Sequence, residues 1–207
     1  INTDVWNSAI YNKPRRISYE SNNSTEPITA TTPFVINIKR LLSNGYVVTV
    51  PTFVKSFVYT TNTSTGAYGC RYMKNTELGA HAMTIVGYDD EFWVDVNNNK
   101  KKDNGEIGAF KIANSWGASA SNYTNGYLWM SYDAIGSESA VSNAPKSRAA
   151  AFDTYYFIEP ETEYTPLLVA NVKMTTKKRN QVAVKVGISN TDTTTPDELI
   201  SVVNNYN

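Results

Sequence analysis

The chain has 207 residues, 41% of them apolar, and its 19 basic and 19 acidic residues balance. That length suits one full domain and part of another, and the apolar fraction suits a packed core over disorder. Balanced charge leaves no electrostatic footprint for nucleic acid or anionic lipid, and no apolar run approaches the ~20 residues of a membrane span. The basic runs 100–102 and 177–179 read as solvated turns. Residues 1–10 have neither the basic start nor the apolar centre of a signal peptide. The single cysteine, Cys70, cannot form an internal disulfide. Abundant Asn, Thr, Ser and Tyr lean toward a secreted or cell-surface protein.

Residues 1–30 are polar and interrupted by Pro14, and read mostly as loop. A helix follows, with Pro33 in its first turn and Phe34, Val35, Ile38, Leu41 and Leu42 in an apolar stripe. Asn44-Gly45 supplies its stop. Tyr46–Val50 and Thr52–Tyr59 are β-branched and aromatic, and read as strands. In the strand predicted for His81–Tyr88, His81, Met83 and Ile85 share one face. In Gly108–Asn114, Phe110, Ile112 and Asn114 do the same. Gly126–Tyr132 leaves a turn at Asn125-Gly126. Many strands with one early helix predict an α+β fold, an antiparallel half-barrel or sheet covered on one flank. Residues 1–158 form its lobe. Residues 159–207 form a short β-rich segment in which Leu167–Met174 and Val182–Ile188 make a hairpin, either packed back on the lobe or opening a β-sandwich.

The one histidine lies in Gly79-Ala80-His81-Ala82-Met83-Thr84. Asn114-Ser115-Trp116-Gly117 follows, then Asn125-Gly126-Tyr127. In local sequence and order, residues 30–135 resemble the histidine-bearing, barrel-side half of papain-like cysteine peptidases. The resemblance implies that His81 is the general base and acid, that Asn114 orients it, and that Trp116 shields their hydrogen bond from water. The chemistry is coherent. An imidazole that takes a thiol's proton leaves a strongly nucleophilic thiolate–imidazolium pair, and an amide oxygen accepting its other N–H fixes tautomer and orientation.

The family's nucleophile lies about 130–150 residues before its histidine and asparagine, and residues 1–69 hold no cysteine. Cys70 is read as an inert, partly buried thiol in a loop. The resemblance therefore implies a partner, a Cys-bearing lobe on an upstream segment or separate chain. The completed enzyme would hydrolyse peptide bonds in a protein or peptide substrate with no cofactor, and the isolated chain is expected to be inactive. The rival reading is a non-catalytic binding or structural module on the same fold.

Between the two motifs, Asp95, Asn97, Asn99, Asp103 and Glu106 fall at positions 1, 3, 5, 9 and 12 of the EF-hand register, with the Lys101 carbonyl at position 7. That pattern predicts a calcium loop. Lys100 replaces the usual glycine at position 6, and Lys102 the apolar residue at position 8. The competing expectation is a polar hairpin tip rich in turn formers.

Overall fold

The computed structural model describes residues 8–9, 14–62, 64–161, 165, 172–177, 182–189 and 195–203. The segment expected to be loop contains strand β1, Pro14–Ser21. Its apolar side chains Ile17 and Tyr19 are 65% and 68% exposed, so no buried face marks it as a strand. Pairing with Thr154–Pro160 holds it instead. Pro14 sits at its first position, on an edge strand, where its missing N–H is harmless.

Helix α1, Pro33–Ser43, buries Phe34, Val35 and Ile38. The Phe34 ring meets Tyr155 at 5.1 Å and Phe152 at 6.1 Å. Gly45, at φ +80°, ends the helix in the left-handed region and donates its N–H to the Leu42 carbonyl. The expected strand at 52–59 is broken: β2 is Val48–Phe53, a 3-10 turn takes Val54–Ser56, and β3 is Phe57–Thr61. Cys70 lies not in a loop but in β4, Tyr68–Met73.

The histidine strand, β5 (Ala80–Trp93), runs five residues beyond its expected end at Tyr88, with register shifts at 85/87 and 89/93. Next come β6 (Ile107–Ala113), β7 (Tyr127–Ser131), a short helix α2 (Tyr132–Ile135) and β8 (Thr154–Pro160). The eight strands form one sheet in the order β1-β8-β2-β5-β6-β7-β4-β3. Neighbours are antiparallel, as expected, except β4 and β7, which pair in parallel and make the sheet mixed. The fold is α+β. Val48, Val50, Met83, Ile85, Phe110, Ile112, Leu128 and Met130 are buried in one core with α1.

Two buried polar clusters anchor the periphery. Arg148 pairs with Asp133 at 2.6 Å, their side chains 1% and 0% exposed. Asp133 also accepts from the Ser139 hydroxyl and the Ala140 N–H, while Arg148 donates to the Asp133 and Gly136 carbonyls. This knot ties the 136–148 loop to α2. The second cluster is the 95–106 loop, described with the site.

Chain contacts divide the molecule into residues 1–165 and 166–207, and β8 runs through position 158 within the first unit. In the second unit β9, Val184–Ile188, pairs antiparallel with β10, Glu198–Val203. Its expected partner, 167–174, lies largely outside the described residues.

Candidate active site

Three adjacent strands build the site. β2 and β5 place Thr52 opposite His81, and β5 and β6 place Thr84 opposite Ala113. Continuing that register brings the start of β5 and the end of β6 to one end of the sheet. There His81 Nε2 lies 2.9 Å from Asn114 Oδ1, although the residues are 33 positions apart. The same oxygen accepts the Ser115 backbone N–H at 2.7 Å. A backbone N–H can only donate, so this contact fixes which amide atom faces the ring. Nε2–H is then the donor, and the lone pair of Nδ1 is left to take a proton.

The Trp116 ring stacks on His81, with centroids 5.2 Å apart and planes 22° apart. Trp116 is 51% exposed, so it covers one face of the imidazole and keeps its other side in solvent. Gly79 explains part of the motif. Its φ is +73°, and a Cβ there would meet the Lys55 side chain at 2.6 Å and the Lys55 backbone at 3.0 Å. Its carbonyl accepts the Val54 N–H at 3.1 Å. Only glycine lets the chain enter β5 so close to the 3-10 turn. Beside His81, a cavity of about 190 Å³ is lined by Pro51, Phe53, Ala80, Ala151 and Phe152, among others.

Cys70 does not join this group. It is wholly buried on β4, donates weakly to the Tyr72 carbonyl at 3.6 Å, and burial pushes its thiol up to about 12. A thiol so placed is neither ionised nor reachable, as inert cysteines are.

The candidate metal residues share one loop but are engaged with one another. Glu106, 0% exposed, accepts from the Val96 and Asn97 N–H through Oε1, and from the Trp93 indole and the Asp103 N–H through Oε2. The Asp95 carboxylate accepts the Asn99 and Lys100 N–H. Asp103 accepts from the side-chain amides of Asn97 and Asn99. Lys101 is exposed and donates its N–H to Asn99 Oδ1. Lys100 has φ +61°, the conformation that a glycine would take there. Among the described residues, no group of three or more His, Cys, Asp or Glu is placed to hold one metal ion.

The motifs did not single out Tyr123 or Tyr59. Tyr123 is buried beneath Trp116, at 5.8 Å and 77°, and Tyr59 packs on it at 6.4 Å. The only available signal was an aromatic just ahead of the Asn125-Gly126 turn.

No protein-family model matches the sequence, and no curated protein sequence matches it. Among solved structures, the chain is similar to SERA5E from Plasmodium falciparum, with 15% identity and a TM-score of 0.46, over 75% of this chain and 52% of that one. It is also similar to the cysteine protease and lectin-like domains of Cwp84, a surface layer associated protein of Clostridium difficile, at 22% identity and a TM-score of 0.35. That match covers 59% of this chain and 23% of the other. A third is the SERA5 proenzyme of Plasmodium falciparum, at 12% identity and a TM-score of 0.38, over 70% of this chain and 36% of that one. The chain thus spans about half or less of each of these three structures. Among the described residues, no helix is long and apolar enough to cross a membrane.

Proposed function

We propose that this chain supplies the general base and its orienting amide to a papain-type cysteine peptidase whose nucleophile lies on polypeptide outside these residues. The observation that carries the reading is the 2.9 Å contact between His81 Nε2 and Asn114 Oδ1 beneath Trp116. That contact leaves Nδ1 as the basic nitrogen.

In the completed enzyme a cysteine thiol gives its proton to His81 Nδ1, and the thiolate attacks the peptide carbonyl. His81 returns the proton to the departing amine, leaving an acyl-enzyme. Water, deprotonated by the same nitrogen, then releases the acid. Asn114 keeps the ring in place through both halves. Oxyanion donors come from the Cys-bearing lobe. The substrate is a protein or peptide, and an extracellular or cell-surface setting suits the Asn/Thr/Tyr-rich composition.

The test is to treat the natively produced protein with an epoxysuccinyl peptide and locate the label by mass spectrometry. The proposal expects the label on a cysteine outside these 207 residues. A label on Cys70, or none on any associated polypeptide, contradicts it.

A second reading, a binding module that takes calcium in the 95–106 loop, is favoured by Lys100 adopting the left-handed backbone of position 6. Glu106 would have to release its N–H donors to serve as the bidentate ligand, so affinity no tighter than about millimolar is expected. Calorimetric titration that shows no heat at millimolar calcium removes this reading.

A further inference from the structure

Two buried polar atoms next to the site have no hydrogen-bond partner: Asn114 Nδ2 and the Tyr123 hydroxyl oxygen. Buried polar atoms are rarely left unpaired, and an orphaned donor beside an orphaned acceptor calls for an explanation. The Asn114 oxygen is committed to His81 and to the Ser115 N–H, so Nδ2 must point away from the imidazole and into the protein. Tyr123 approaches from that side. Its residue is 5% exposed, and its ring meets Trp116 edge-on. The turn that carries it is tied to the end of β6, because the Asn114 N–H donates to the Gly126 carbonyl at 3.0 Å. The Thr124–Tyr127 pair then closes that turn.

We propose that Tyr123 is a positioning residue: its hydroxyl oxygen accepts from Asn114 Nδ2 and so holds the amide with its oxygen on His81. The inference rests on the reading of His81 as the base. The electrostatics agree with the geometry. Burial raises the Tyr123 pKa, while the Asn114 amide acts on it in the opposite direction, as a hydrogen-bond donor does. Tyr59 packs its ring on Tyr123 and donates its hydroxyl to the Val54 carbonyl at 3.4 Å.

The consequence is chemical. If the amide turned over, its NH2 would face the imidazole and Nε2 could only accept. The ring proton would then sit on Nδ1, the nitrogen that must be free to take a proton from a thiol. A phenol oxygen that accepts the amide N–H opposes that rotation.

The chain has one histidine, so the imidazole nitrogen resonances of the neutral ring need no assignment by elimination. In 15N-labelled wild-type protein, the expected state is Nε2–H, exchanging slowly with water, with the Asn114 side-chain amide protected. Tyr123→Phe keeps the ring and removes the oxygen. It should speed Nε2–H exchange roughly tenfold, the equivalent of one lost hydrogen bond, and raise the Nδ1–H tautomer. An unchanged tautomer and exchange rate in a folded Tyr123→Phe protein overturns the proposal. If that variant does not fold, the wild-type protein decides. A nuclear Overhauser contact between the Asn114 amide protons and the Tyr123 ring, with a protected amide, supports the assignment, and their absence overturns it. No peptide substrate enters this experiment, so it fails or succeeds independently of peptidase activity.

Discussion

The 95–106 loop and the His81–Asn114 corner are both polar sites at the ends of sheet strands, and they are finished differently. In the loop, Glu106 collects four N–H donors and Asp95 two, and the chain closes on itself. At the corner His81 is held to Asn114 through one ring nitrogen only, and the covering Trp116 is half exposed. A polar group that is fully satisfied internally serves the fold. One held in place by its neighbours with a titratable atom left over is a candidate for chemistry, the role proposed above for His81.

The largest effect on the structural side should come from the Arg148–Asp133 knot. Arg148→Ala leaves Asp133 buried without its partner, and urea unfolding should show a loss of about 3–5 kcal/mol. Glu106→Ala strands four buried or half-buried donors, and should cost about 3 kcal/mol by the same measurement. A loss below about 1 kcal/mol would mean that the loop is not held from within, which would blur the comparison.

Alkaline pH gives a smaller, graded effect. Burial raises Cys70 from 9.0 to about 12, and it raises Tyr59, Tyr132 and Tyr155 as well. Each group is held neutral in the folded state. Its contribution is therefore complete below its unfolded pKa and is lost as pH climbs through the raised value. The denaturation midpoint should fall as pH is raised from 9.0 toward about 12, and a flat midpoint would contradict the burial described. The smallest effect on stability belongs to the corner. Trp116→Ala removes a ring that is 51% exposed and should change stability by less than about 1 kcal/mol. It should nevertheless speed exchange of the His81 Nε2–H with water, readable on the sole imidazole by NMR.

Much of the corner could be read from the sequence because strand alternation does the placing. His81, Met83 and Ile85 alternate on β5, as do Phe110, Ile112 and Asn114 toward the end of β6, so neighbouring strands deliver both polar side chains to one end. Helix α1 was legible for the same reason, through Phe34, Val35 and Ile38. β1 was not, because Ile17 and Tyr19 face solvent and its partner lies more than a hundred residues away. The Cys70 segment reads as a loop in the sequence, yet pairing with β3 and β7 makes it a strand. Arg148 and Asp133, like the rings of Tyr123 and Trp116, meet through tertiary packing that no local pattern announces. Glu106 was legible as a loop carboxylate but not as a hub for N–H donors, since its partners are mostly backbone.

The most direct test of the central claim is peptide hydrolysis by the natively produced, complete protein compared with its His81→Ala variant. If His81 is the base of a thiolate–imidazolium pair, kcat/KM should fall by about 10³-fold or more while the thermal midpoint stays near that of the wild type. Hydrolysis that continues undiminished in the His81→Ala variant would show that the reaction runs elsewhere and that the corner is not a catalytic site.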